Sequence, residues 1–159
     1  MAKGNEILLS ADPGGKFEDI IISGTPKPGQ ILELKTATAA QGGRFTYQVS
    51  SRTAGAKGPN PVLLNDKLQG RLSTTAYADG ERARIYWPQA GDELNCLLGD
   101  VAGTGDAVAI GDKFGVDNAG KIKANASYTS TPFQALEVIA AGGITADALV
   151  FVKYLGDQA

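Results

Sequence analysis

The sequence predicts an all-β protein: a small β-barrel or sandwich of short antiparallel strands, joined by glycine-rich turns, with at most one short helix. Three observations predict it. In the clearest segments apolar and polar residues alternate with a period of two, which puts one set of side chains on each face of an extended strand. The 21 glycines are scattered through 159 residues without a collagen-like period. Such a distribution suits tight reversals and disfavours long helices, where each interior glycine costs about 1 kcal/mol relative to alanine. Finally, turn signals recur about every 8–12 residues, the spacing of sandwiches and barrels.

Taken in order, the elements begin with Ile7-Leu8-Leu9, a short apolar stretch ahead of the turn Asp12-Pro13-Gly14-Gly15. Residues 1–15 are expected to form an N-terminal arm or edge strand, and residues 16–159 a single β-barrel domain. Ile31 to Lys35 is a strand candidate, followed by a reversal at Gly42-Gly43. Arg44 to Ser50 alternates strictly, with Phe45, Tyr47 and Val49 expected on one face. Ser51 to Pro61, rich in Gly, Pro, Ala and Lys, reads as an exposed loop and a contact site. Ser73 to Ala78 has the composition of a single helical turn capped by Ser73, ending at Asp79-Gly80.

The second half continues the pattern. In Arg82 to Trp87, Ala83, Ile85 and Trp87 face one way and Arg82, Arg84 and Tyr86 the other. Pro88 to Gly91 marks a loop, and Glu93 to Leu98 a strand. Val116 to Ile122 reads as a hairpin on a four-residue loop. Phe133 to Ala141 would also suit a helix face, but Gly142-Gly143 followed by Leu149 to Leu155 favours a strand paired as a hairpin with that last segment. The run Leu149-Val150-Phe151-Val152 is apolar enough to suggest a strand covered on both faces.

The chemistry is marked by what the sequence lacks. It contains no histidine, so Ser-His-Asp and Cys-His nucleophile systems, H-E-x-x-H zinc sites and histidine proton shuttles cannot be built. There is no G-x-x-x-x-G-K-[ST] phosphate loop, and Gly103-Thr104-Gly105-Asp106 lacks the glycine that would complete a dinucleotide fingerprint. Asp92 and Glu93 are neighbours, so on a strand they point to opposite faces and cannot share a substrate atom. Asp100, Asp106 and Asp112 do not have EF-hand spacing. The expectation is a non-enzyme without cofactor or metal. The single cysteine, Cys96, excludes an internal disulfide and fits synthesis in a reducing cytoplasm; a buried apolar role is expected for it. Trp87 is expected in the core rather than as a sugar-stacking platform.

Net charge is -2, without the basic excess that displaces phosphate counterions, so no nucleic-acid partner is expected. No apolar run reaches the ~20 residues of a membrane helix. Charge is nevertheless segregated along the chain. Arg44, Arg52, Lys57, Lys67 and Arg71 stand against Asp66 alone between residues 44 and 71. Asp92, Glu93, Asp100, Asp106, Asp112 and Asp117 stand against Lys113 alone between 92 and 117. Complementary surfaces meeting between copies, or against a charged lattice, would use such a division.

From Leu68 onward a family resemblance emerges. It rests on Leu68-Gln69-Gly70, on Asp79-Gly80-Glu81-Arg82-Ala83-Arg84-Ile85-Tyr86, and on Ala90-Gly91-Asp92-Glu93-Leu94-Asn95. It continues through Ile110-Gly111-Asp112-Lys113-Phe114-Gly115-Val116-Asp117, Gly120-Lys121-Ile122, Pro132-Phe133-Gln134-Ala135-Leu136-Glu137 and Leu149-Val150-Phe151-Val152. This order of a "GD" turn, a short strand, a "G-K" hairpin, an "A-L-E" strand and a valine-rich closing strand resembles head decoration (cement) proteins of tailed bacteriophages. The resemblance implies a protein on the capsid exterior that bridges major capsid protein subunits and stabilises their lattice. It also implies self-association, with a trimer favoured, and brings no catalytic residues. Ile7, Leu8 and Leu9, together with Arg44, Arg52, Lys57, Lys67 and Arg71, are the candidate capsid or subunit contacts. The alternative is a carbohydrate- or receptor-binding module of a virion fibre or baseplate, which an exposed aromatic platform would favour.

Overall fold

The computed structural model describes residues 7–10, 15–36, 38, 40–65, 74–99, 107–141 and 148–156, without the side chains of Leu9 and Ser10. The described residues form eleven strands and no helix. In chain order they are β1 (Leu8–Ser10), β2 (Lys16–Ile22), β3 (Leu32–Leu34), β4 (Thr46–Val49), β5 (Val62–Leu63) and β6 (Arg82–Trp87). The second half adds β7 (Glu93–Leu97), β8 (Lys113–Val116), β9 (Ile122–Lys123), β10 (Phe133–Ala135) and β11 (Leu149–Tyr154). They make two sheets of mainly antiparallel strands, and the all-β barrel-like class is the one the sequence predicts.

The first sheet has the order β3-β4-β2-β6-β5. Its spine is the long antiparallel β2–β6 pair, running from Lys16 opposite Trp87 to Ile21 opposite Arg82. Beside it β4 lies parallel to β2, because the β3–β4 hairpin folds back against the strand that precedes it. The two edges then meet. Ile31 bridges Val62, the Gly29 amide donates to Leu63 O (2.8 Å), and the Leu32 amide donates to Pro61 O (3.0 Å). Closure of this kind removes exposed edge groups that would otherwise pair with other chains.

The second sheet, β1-β7-β11-β10-β8-β9, curls in the same way. Past the end of β7, Leu98 bridges Ile122 of β9 in parallel, and the Gly99 amide donates to Ile122 O (2.8 Å). β1 adds to the outside of β7 as the edge strand, with a register irregularity between Leu8 and Ser10. The β8–β9 hairpin has Val116 opposite Ile122. In its loop the Asp117 carboxylate accepts the amides of Ala119 and Lys121, both at 2.9 Å.

Two apolar clusters fill the curled sheets. The larger includes Leu94, Cys96, Phe114, Phe133, Val150 and Val152 of the second sheet. The smaller lies against one face of the first sheet and holds Ile20, Ile22, Leu32, Tyr47, Leu63, Tyr77 and Ile85. Neighbouring residues split between them: Ile31, Val62 and Tyr86 belong to the larger, while Leu32, Leu63 and Ile85 belong to the smaller. This is the period-two rule applied to a sheet whose two faces meet different cores. The seam is tied by the Ile31 amide to Gly120 O (2.7 Å) and Gln30 Nε2 to Ala119 O (2.9 Å). Gly120 has φ +66, and a Cβ there would stand 2.4 Å from Ile31 O, so only glycine lets the hairpin tip approach this closely.

Four local expectations change. Residues 74–78 are not helical; Tyr77 is buried, its amide donating to Pro26 O (2.8 Å) and its hydroxyl to Leu64 O (2.8 Å). These long-range bonds replace the local ones of a helical turn, while Ser73 lies outside the described residues. β11 is covered on one face only: Val150, Val152 and Tyr154 are buried, whereas Lys153 is exposed and Phe151 half-buried. Phe45 does not share the burial of Tyr47; it precedes β4 and is 52% exposed. Finally, Phe133 to Ala141 narrows to the three residues of β10, with Ile139 making a separate bridge to Val108.

Candidate functional site

The described candidate contact residues lie in different parts of the fold. Ile7 is buried in the larger cluster. Its carbonyl accepts the Asn95 amide at 2.7 Å, and its own amide reaches Asn65 Oδ1 at 3.4 Å. Leu8 packs partly buried on the same cluster and pairs with Leu94. Ile7 and Leu8 thus belong to the sheet of their own chain, at its edge. Leu9 lies in β1 with its side chain outside the described residues, as are Lys67 and Arg71 entirely.

Among the basic candidates, Arg44 closes the turn that bridges Gln41, with Nη1 3.4 Å from Gly42 O. Arg52 turns inward: Nη1 donates to Pro59 O (2.9 Å) and Nη2 to Asn60 Oδ1. Lys57 is exposed in the same loop. That loop, 51–61, spans from β4 to β5 and is pinned to the second sheet. The Gly55 amide donates to Val116 O (2.8 Å), and Gly55 O accepts the Ser130 amide (3.1 Å) and the Thr129 hydroxyl (3.1 Å). A Cβ at Gly55 would stand 2.3 Å from the Tyr128 ring.

Three described carboxylates of the acidic stretch serve turns. Asp92 is 1% exposed and accepts the Tyr86 hydroxyl (2.6 Å) and the Gln89 amide (2.7 Å). Asp112 accepts the Ala109 amide (2.8 Å), and Asp117 holds its hairpin. Asp100 and Asp106 lie outside the described residues. Of the described acidic residues in 92–117 only Asp92 is buried; Glu93, Asp112 and Asp117 are half-exposed.

Cys96 is fully buried, and burial pushes its thiol well above the ordinary thiol range, which suppresses the reactive thiolate. The described residues contain no group of three or more His, Cys, Asp or Glu placed to hold a metal ion. A cleft of about 610 Å³ opens beside β8, between Val108, Phe114 and Tyr128. Two of its polar groups are in local use: Asp112 as above, and Asn125 Oδ1, which accepts the Ser127 amide (2.9 Å) and hydroxyl (2.8 Å).

One polar constellation was not singled out from the sequence. On the smaller cluster's face of the first sheet, Trp87 Nε1 donates to Glu18 Oε2 (3.0 Å), and the Tyr47 hydroxyl lies 3.4 Å from each oxygen of the same carboxylate. Burial first, and then the Glu18 charge and hydrogen bond, push Tyr47 up to about 12. Trp87 packs half-buried against the cluster, in agreement with the core role expected of it. Its partner Glu18 was unread because β2 itself was: in Lys16-Phe17-Glu18-Asp19 both faces carry charge before the isoleucines begin. Large exposed apolar side chains elsewhere are Phe17 (50%), Leu34 (44%), Ile110 (68%) and Val138 (66%).

No family model and no curated protein matches this chain. Its architecture does have a counterpart among solved structures. The chain folds like a phage head-fibre base. The N base of head fibre gp8.5 of bacteriophage phi29 superposes with a TM-score of 0.53, covering 91% of this chain and 98% of that one. Identity is 8%, so the likeness is one of fold.

Proposed function

We propose that this protein is a non-enzymatic structural component of a phage virion. In this reading it sits on the capsid exterior and stabilises the lattice of the major capsid protein. The observation that carries the reading is the fold likeness across 91% of the chain to the base of a phage head fibre. The turn-and-strand order resembling head decoration proteins supports it independently. Two closed sheets with few free edges also suit a protein that must not aggregate through its strands. Binding would come from many weak contacts multiplied by the repeating lattice.

The decisive experiment adds purified protein to heads isolated from virus lacking its gene. Saturable co-sedimentation, with ordered density at one class of lattice position, is the expected result. Protein left in the supernatant at all concentrations overturns the capsid assignment. Light scattering of the free protein tests self-association: the trimer predicts three times the monomer mass. The glycan-binding alternative gains little from Trp87, whose indole is half-buried and tethered to Glu18 and offers no open stacking face.

A further inference from the structure

We propose that the cleft beside β8 is a binding site for a neutral sugar unit, a pyranose with its hydroxyls and apolar C–H face. The volume of about 610 Å³ lies within the range of small-ligand clefts, about 300–1,000 Å³. One side is made by the start of β8, Asp112 to Phe114, and the other by the segment 124–131 that follows β9. Both sides are fixed by bonds of their own. On the first, Asp112 Oδ2 accepts the Ala109 amide (2.8 Å), Asp112 O accepts the Ala135 amide (2.8 Å), and Phe114 stands opposite Phe133. On the second, Asn125 O accepts the Tyr128 amide (3.1 Å), and the Thr129 hydroxyl and Ser130 amide donate to Gly55 O. The Tyr128 ring is held against backbone: a Cβ at Gly55 would stand 2.3 Å from it, and one at Gly115 2.5 Å. A cleft whose sides are already set loses little freedom when a ligand enters.

The lining selects the class of ligand. The side chains that hold the two sides in place leave other atoms unspent. Among the described residues, Asp112 Oδ1, Asn125 Nδ2 and the Thr131 hydroxyl make no hydrogen bond. They offer an acceptor, a donor and a group that is both. A sugar uses that mixture, because each of its hydroxyls also donates and accepts. Charge in the lining is balanced, with the Asp112 carboxylate against the exposed Lys113 ammonium, so neither an anion nor a cation is favoured. The Tyr128 ring and the methyls of Ala124 and Ala126 complete the lining and supply apolar surface for the C–H face of a pyranose. Trp87 takes no part, since it lies on the first sheet and the cleft on the second. The site does not depend on the chain being bound to a capsid.

Two-dimensional NMR of the intact, ¹⁵N-labelled protein, titrated with methyl glucoside and with N-acetylglucosamine, tests the site. At least one of the two should give saturable shifts at Lys113, Thr131 and the Asn125 side-chain amide. The dissociation constant should be on the order of 1 mM, the strength expected of so small a ligand. Asn125→Asp keeps the acceptor for Ser127 and removes the free donor; it should weaken binding about fivefold, the scale of one hydrogen bond. Asp112→Asn keeps an acceptor for the Ala109 amide and should weaken it about tenfold, as a charged acceptor is lost. Ala126→Phe, at an exposed position, should fill the cleft and abolish the shifts, which keeps the test intact if a polar variant misfolds. No saturable shift with either sugar, shifts that survive Ala126→Phe, or tighter binding of glycerol phosphate or N-acetyl-arginine amide overturns the site. Free protein and small probes suffice, so the result is independent of capsid co-sedimentation.

Discussion

Asp92 shows at the scale of one residue how a carboxylate of the acidic run is taken into the structure. Its carboxylate is buried, with the Tyr86 hydroxyl and the Gln89 amide as donors. It ties the end of β6 to the Pro88–Gly91 reversal before β7 begins. Hydrogen bonds to a charged acceptor contribute more than neutral ones, and a buried donor stripped of its acceptor costs a further desolvation penalty. Asp92→Ala should therefore destabilise the protein by about 2–3 kcal/mol in urea denaturation, and Asp92→Asn, which keeps an acceptor, by clearly less. Equal losses for both would mean that packing, and not the acceptor, is what the residue supplies. Asp92 stands before β7, and Glu93 is the half-exposed first residue of that strand, so the alternation expected for the pair on one strand does not apply.

At the scale of elements, the β3–β4 hairpin is held on its polar face by Glu33. The carboxylate accepts Gln48 Nε2 (3.0 Å), the Ser51 hydroxyl (2.7 Å) and the Ser50 hydroxyl (3.4 Å). Burial on its own raises this group, but the hydrogen bonds from Ser51, Gln48 and Ser50 outweigh it and hold Glu33 below the ordinary carboxylate range. A carboxyl depressed in the folded state adds stability above its unfolded value of about 4.5 and loses it as pH falls through the folded value. Wild type should thus lose part of its stability on acidification below about 4.5, and Glu33→Gln should flatten that segment of the stability–pH curve. Denaturation midpoints measured across the acid range decide it; parallel curves would remove the claim.

The strands that could be read beforehand are those whose faces differ sharply, such as Arg82 to Trp87, where the predicted split of side chains is the observed one. β2 escaped because its buried and solvated faces both begin with charge. Its parallel pairing with β4 depends on a crossover that no local pattern encodes. Tyr77 was hidden for a related reason: in a run of Ser, Thr and Ala it has no periodic partners, and its place is decided by Pro26 and Leu64, far away in the chain. The Glu18 site was illegible for both reasons together, since it needs β2, β4 and β6 side by side.

At the scale of the whole molecule, the two curled sheets are not two independent bodies, because three consecutive pairs of residues serve both cores. Ile31-Leu32, Val62-Leu63 and Ile85-Tyr86 each send one side chain into the larger cluster and the other into the smaller. Unfolding either sheet would expose half of every such pair and break the Leu97–Gly29 and Ile31–Gly120 links. A sequence of this length with shared core residues should unfold as one cooperative unit. The protein carries a natural probe in each core: Trp87 packs on the smaller cluster and Cys96 is buried in the larger. In guanidinium, the fluorescence of Trp87 and the reactivity of Cys96 toward a thiol reagent should change with the same midpoint and slope. A fluorescence transition that precedes exposure of Cys96 would show the first sheet opening alone. That outcome would recast the seam as a hinge between two separately stable barrels.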